Sequence, residues 1–264
     1  MSSALPYAIS DTMTMLRRSL RHGVRYPVML VSGLATPIIL LLLFVYILGG
    51  ALGSGVGGAS VGRAGYLNYI APSMALLTVC YGGGSTAVTV SVDLTEGIVR
   101  RFRTMPISRA AVLTGHVLGG FIRTMATVVL VLAVALLMGF RPTATPIEWL
   151  AAIGLLALLS LAITWLTIAF GSAAKSPGGA NTAALPLQIL PLVSSAFVPT
   201  GSMPVGIRWF AEYQPFTPVI DTLRGLLMGS EIGNSAYLAL GWLIAITLVG
   251  FVWATMAFHA RGHH

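Results

Sequence analysis

The sequence predicts an all-α membrane protein with six transmembrane helices, an amino-terminal interfacial helix, a short cytosolic helix and an outer re-entrant helical segment. Three observations lead there. Of 264 residues, 56% are hydrophobic and only 8% charged, with a mean hydropathy of +0.88, whereas soluble domains carry roughly a quarter charged residues. Apolar runs close to the ~20 residues that cross a bilayer recur along the chain. The Lys and Arg residues, 15 against 7 Asp and Glu, cluster in particular loops. In a soluble protein the net charge of +8 would suggest nucleic acid. Here the positive-inside bias accounts for it more simply, and no nucleic-acid partner is expected.

Residues 1–27 form the first element. Ile9, Met13, Leu16 and Leu20 fall at helical spacing, and Arg17, Arg18, Arg21 and Arg25 occupy other faces. The pattern fits an amphipathic helix against anionic membrane lipid, or a solvated basic arm. No removed signal peptide is read there. The first span covers about 28–48 and contains Pro37, expected to kink it. A glycine-rich stretch follows. Its Gly53, Gly55 and Gly58 match G-x-G-x-x-G, but without a strand before it the match carries nothing.

The second span, about 66–92, is rich in small and hydroxyl residues, among them Asn68, Ser73, Thr78, Gly82, Gly83, Gly84, Ser85, Thr86 and Thr89. Close helix packing explains such residues, and so does a polar path for a substrate. Cys80, the single cysteine, reads as a small buried apolar residue. The third span covers about 117–140. Its Arg123 lies near the cytosolic end, where snorkelling, or a lipid or partner contact, accounts for it. A fourth span runs over about 148–171. The fifth, about 180–198, carries Pro186 and Pro191 with Pro199 just beyond, together with Gln188, Ser194 and Ser195. Broken backbone of that kind is tolerated only away from lipid, which places this span inside the assembly.

Residues 200–234 are half apolar yet hold Pro215, Thr217, Asp221 and Arg224. Short amphipathic helices dipping into the outer leaflet fit this better than a free loop, and Asp221 and Arg224, three apart, can pair on a helix. The sixth span covers about 235–258. Ten of the 15 basic residues fall in the tails and inner loops of this layout and four in the outer loops. Both termini are therefore expected in the cytosol.

The densest charge lies between the second and third spans, in 93–116: Asp93, Glu96, Arg100, Arg101, Arg103 and Arg109. A bilayer core does not accept that density, so the segment belongs in water or at the membrane surface. Glu96-Gly97 ends one helix. Pro106, with Thr104 and Ser108 beside it, suits the first turn of the next.

Several chemistries are missing. The only lysine is Lys175, in Ala-Lys-Ser, so there is no G-x-x-x-x-G-K-[ST] phosphate loop and no ATP site of that type. No metal-ligand spacing occurs; His259, His263 and His264 read as a solvated tail. No acid lies deep in a span, as an ion-coupled carrier would need. The serines lack a His or acid at span depth, which speaks against an enzyme. Energy for transport must come from another chain.

Glu96-Gly97, the Arg100–Arg103 cluster and Met105-Pro106-Ile107-Ser108-Arg109 resemble the loop between the second and third spans of type-2 ABC exporter permeases. The look is that of the daunorubicin-resistance-like drug-efflux permeases. A second landmark is Gln214-Pro215-Phe216-Thr217-Pro218-Val219-Ile220-Asp221-Thr222-Leu223-Arg224. The family commonly shows Asn-Pro-hydroxyl and then Asp-x-Leu-Arg there, and Gln214 departs from the Asn. The resemblance covers nearly the whole chain, with residues 28–264 as the six-span permease domain. It implies a bacterial cytoplasmic-membrane exporter of two permease chains, alike or different, and two ATP-binding subunits that carry ATP and Mg. It makes 93–116 the coupling loop, with Glu96, Gly97, Arg100, Arg101, Arg103, Pro106, Ser108 and Arg109 facing the ATP-binding subunit. It also implies a cavity between the second and fifth spans, and cargo of amphiphilic drugs or antibiotics, with lipids or glycoconjugates next. An ATP-independent carrier and a non-transporting scaffold are the readings from other classes.

Overall fold

The computed structural model describes residues 27–50, 62–95 and 109–260, the side chains of 27–34, 109–112 and 258–260 excepted. Among them the chain is helical, with no strand. The elements are α1 (Pro27–Leu42, continuing as a π-helical stretch over Leu43–Leu48), α2 (Gly62–Thr95), α3 (Arg109–Leu137), α4 (Pro146–Ala173), α5 (Pro177–Ile189), α6 (Val205–Tyr213), α7 (Phe216–Met228) and α8 (Ser235–Ala260). Short 3₁₀ turns lie at Leu190–Val193 and Thr200–Ser202. The amino-terminal segment 1–26, the glycine-rich loop at 51–61, the charged loop at 96–108 and the tail at 261–264 lie outside the described residues.

Four described helices are long and apolar enough to cross a membrane: Gly62–Thr95, Leu113–Leu137, Pro146–Ala173 and Ser235–Ala257. α2, with 34 residues, extends about 51 Å at 1.5 Å per residue, well past the ~30 Å of bilayer hydrocarbon. The first apolar segment is helical through Leu48, with Pro37 inside it.

The fifth segment, expected at 180–198 as a span broken by its prolines, is a short helix followed by a 3₁₀ turn. α5 has 13 residues, about 20 Å of rise, and gives way to the 3₁₀ turn at Leu190. Pro191 explains the break. It has no N–H to continue the α-helical ladder, and the backbone, still helical at Leu190, turns extended at Ser194.

Local signals set the other helix starts. Thr145 caps α4 in a capping box with Glu148, and Pro146 holds the first helical position. Ser176 Oγ accepts from Gly179 N at 3.1 Å to cap α5, again with proline at the first turn. The polar turn between α4 and α5 is consequently only three residues, 174–176, shorter than the gap that expected spans at 148–171 and 180–198 leave.

α2 is the hub. It packs against α1, α3, α4, α5 and α7, while α8 lies along α4 and touches α7. The main core gathers Tyr66, Ile70, Met74 and Leu77 of α2, Leu156, Leu159 and Ile163 of α4, and Phe216, Ile220 and Leu223 of α7. The outward faces of α3, α4 and α8 expose Val129, Leu137, Ile147, Leu150, Tyr237 and Leu248, the apolar surface that lipid covers.

Three glycines in a row make the hub possible. A Cβ on Gly82 would stand 2.7 Å from Thr124 Oγ1 of α3; on Gly83, 2.6 Å from Ile163 Cγ2 of α4; on Gly84, 2.3 Å from Gln188 Nε2 of α5. Successive helical residues point about 100° apart. One tripeptide therefore admits three neighbours to close range, as small residues do between membrane helices.

Candidate functional site

The break after α5 leaves carbonyls that no helix satisfies, and two other elements bond to them. Ser195 O accepts from Tyr69 Oη at 2.7 Å and from Arg224 Nη2 at 2.9 Å. Phe197 O accepts from Tyr66 Oη at 3.4 Å, and Val193 O accepts from Gln214 Nε2. Tyr66 and Tyr69 lie on α2; Arg224 lies on α7 and Gln214 immediately before it. Membrane helices broken by proline persist where neighbours satisfy the freed backbone in this way.

Arg224 sits at the centre of the knot. Its Nη1 donates to Asp221 Oδ1 at 3.0 Å, one helical turn back on α7. Nη2 also reaches Ser73 Oγ at 3.4 Å, and Nε reaches Tyr69 O at 3.4 Å. The guanidinium lies over the Tyr69 ring, 3.7 Å from its centroid, a cation–π contact. Asp221 Oδ1 also accepts from Ser195 Oγ at 2.7 Å. Ser195 N donates to Thr217 Oγ1 at 3.3 Å, and that hydroxyl donates to Ala211 O. α2, the broken fifth segment and α7 are thus joined through one ion pair and the carbonyls around it.

At the opposite end of α2, Asp93 Oδ2 lies 3.4 Å from His116 Nε2 of α3. The contact ties together the two helices that flank the charged loop. Seven residues deeper on each helix, Arg123 Nη2 donates to Thr86 Oγ1 at 2.9 Å. The matching offsets describe an antiparallel pair in register.

The expected site residues divide accordingly. Ser73, Ser195, Thr217, Asp221 and Arg224 come together in the knot, with Pro215 starting α7. Ser194 bonds locally, to Pro191 O and from Ala196 N. Asn68 Oδ1 accepts from Arg141 N at 3.1 Å, fastening the turn after α3. Thr78, Ser85 and Thr89 bond back to carbonyls of their own helix, which is how hydroxyls satisfy themselves on a membrane helix. Gln188 is half-buried against Gly84. Glu96, Gly97, Arg100, Arg101, Arg103, Pro106 and Ser108 lie outside the described residues, and only the backbone of Arg109 is described.

Sequence reading missed Tyr66 and Tyr69. The one available signal is that Tyr69 precedes Ser73 by four, on the same face of α2. It also read Arg123 as snorkelling toward the cytosolic end or as a lipid or partner contact, without the bond to α2. The guanidinium engages α2 at the level of Thr86, and the close approach at Gly120 brings that hydroxyl within its reach.

Long apolar helices around a polar, proline-broken centre define a multi-pass membrane protein. The chain belongs to the ABC-2 type transporter family, whose model matches residues 10–228, and it is a transmembrane permease subunit whose family works with an ATP-binding partner. It is 27% identical over 224 residues, 84% of this chain and 77% of the relative, to the daunorubicin resistance ABC transporter permease protein DrrB1 of Streptomyces coeruleorubidus. It is 23% identical over 256 residues, 97% of this chain and 91% of the relative, to the probable doxorubicin resistance ABC transporter permease protein DrrC of Mycobacterium tuberculosis.

Proposed function

We propose that this chain is the membrane half of an ATP-driven drug exporter in the bacterial cytoplasmic membrane. Two permease chains and two ATP-binding subunits form the working unit, with ATP and Mg on the latter. The layout is an interfacial helix over 1–27, six spans, a coupling loop at 93–116 and a re-entrant outer segment at 200–234, with both termini cytosolic. Amphiphilic drugs or antibiotics are the cargo, as the names of the two relatives suggest for those proteins.

The observation that carries this reading is the Asp93–His116 contact. It joins α2 to α3 close to where the charged loop leaves one and meets the other, so a push on the loop is delivered to the helix on which the bundle is built. When ATP draws the ATP-binding subunits together, the loops approach, α2 tilts against α5, and the polar faces between them open to the other side. Glu96, Gly97, Arg100, Arg101, Arg103, Pro106, Ser108 and Arg109 meet the ATP-binding subunit in this scheme. Asn68, Ser73, Thr78, Ser85, Thr86, Thr89, Gln188, Ser194 and Ser195 border the path of the cargo.

The test is co-expression with the ATP-binding subunit encoded nearest to this chain, affinity purification, and ATPase measurement in lipid. A stable complex is expected, with ATPase altered by Glu96→Ala or Arg101→Ala. Wild-type ATPase and transport in both variants would remove the coupling role from those residues.

A further inference from the structure

Arg123 is the one basic residue in the interior of a long apolar helix that has no carboxylate beside it among the described residues. It lies seven residues along α3 from His116, about 10 Å of rise into the span. A guanidinium has five N–H donors. Among the described residues Arg123 makes one hydrogen bond, to Thr86 Oγ1 at 2.9 Å, and the side chain is half-buried rather than sealed. The nearest acid by register, Asp93, faces His116. The other described acids lie at the opposite end of the bundle: Glu148 in the first turn of α4, Glu212 on α6, Asp221 against Arg224, and Glu231 after α7.

The position is also built rather than incidental. Gly82 and Gly120 let α2 and α3 approach until a Cβ on Gly120 would stand 3.1 Å from Thr86 Oγ1. Thr86 is itself 3% exposed, so its hydroxyl is a fixed acceptor that aims the guanidinium. An arginine at this depth is costly unless paired, and residues of this kind mark the path of a ligand. A planar fork with free donors matches the oxygens of a phosphate or carboxylate.

We propose that Arg123, aimed by Thr86, is a subsite for the anionic headgroup of an amphiphile that supplies the missing counter-charge. This names a cargo class within the export reading and rests on it. An anionic amphiphile is favoured over a cationic one, because no described carboxylate at this level would receive a cation.

The experiment uses the full chain purified with its ATP-binding subunit in phosphatidylcholine nanodiscs. Retention of dodecyl phosphate and of dodecyltrimethylammonium is read by native mass spectrometry. The wild-type complex is expected to retain the phosphate about tenfold better, Arg123→Gln to abolish that preference, and Arg123→Lys to keep most of it. Equal retention of the two probes by the wild type, or an unchanged preference in Arg123→Gln, overturns the subsite. Displacement by inorganic phosphate at the same concentration as dodecyl phosphate overturns its assignment to an amphiphile.

Adding ATP separates the two sources of such a headgroup. Release of dodecyl phosphate supports cargo; retention through turnover identifies a resident anionic lipid and overturns the cargo assignment. The export reading is scored apart, by ATP-driven movement of a panel of amphiphilic drugs, anionic, neutral and cationic, out of or into proteoliposomes. Charge-selective binding without such movement counts against export alone, and movement without charge-selective binding counts against the subsite alone.

Discussion

Arg224 holds three segments at once because a guanidinium offers five donors in one plane and two faces on which a ring can lie. Its partners are an acid, two backbone carbonyls, a hydroxyl and the Tyr69 ring. Among the described residues Arg208 pairs with Glu212 alone, at 2.8 Å, and their side chains are 50% and 38% exposed. The two arginines should respond very differently to truncation. Arg208→Ala is expected to cost less than about 0.5 kcal/mol, as exposed pairs do. Arg224→Ala breaks a partly buried pair and strips Ser195 O of a charged donor, so a loss of about 1–3 kcal/mol is expected. Arg224→Lys keeps the charge but forfeits the fork and the ring contact, and should recover less than half of that loss. Thermal unfolding of the purified complex measures all three. Equal effects of Arg208→Ala and Arg224→Ala would mean that the knot is not what fastens α7.

At the scale of elements, what matters is how closely helices approach and whether the atom in the way can move. Gly171→Ala would put a methyl 2.4 Å from Ala87 O, a backbone atom of α2, and Gly250→Ala one 2.8 Å from Leu166 N of α4. Neither backbone can step aside without moving a whole helix, so losses of about 1–3 kcal/mol or more are expected. Gly84→Ala meets only the amide end of Gln188, at 2.3 Å, and a rotamer change relieves that contact. Gly154 has nothing within 4 Å. There Gly→Ala is expected to be neutral or to gain up to about 1 kcal/mol of helix propensity. The predicted order of thermal stability is therefore Gly154→Ala, then Gly84→Ala, with Gly171→Ala and Gly250→Ala last. A flat series would show that these close approaches are not constraints. Sequence alone supplies the glycines but not this order, since the order depends on which atom of which neighbour stands opposite.

For the whole molecule, the sequence made legible what depends on hydropathy and near neighbours. Long apolar helices, the proline break after α5 and the Asp221–Arg224 pair one turn apart could all be read from it. The rest depends on chain segments far apart. Tyr69 meets Ser195 across 126 positions and Arg224 meets Tyr69 across 155, distances over which no spacing rule operates. The same physics bears on the proposed second permease chain. α5 exposes Leu185 and Ile189 at i and i+4, on one face of the helix, and Leu192 is exposed in the 3₁₀ turn that follows. That stripe runs onto the broken backbone at Leu190–Val193, which lipid does not tolerate as a neighbour but another protein chain does. Cys80 is fully buried, so an introduced thiol would act on a quiet background. In membranes containing this chain and its ATP-binding subunit, Leu185→Cys, Ile189→Cys and Leu192→Cys should be oxidised one at a time. At least one is expected to give a disulfide-linked pair of copies, which needs Cα atoms about 4.4–6.8 Å apart. Val129→Cys, 63% exposed on α3, is expected to give none. Cross-links at α5 alone mean two copies meet along their fifth segments. Cross-links that form only when a cysteine is placed in a co-expressed second permease mean the unit is built from two different chains. Equal cross-linking at 129 and 189 would mean that the stripe is ordinary lipid-facing surface.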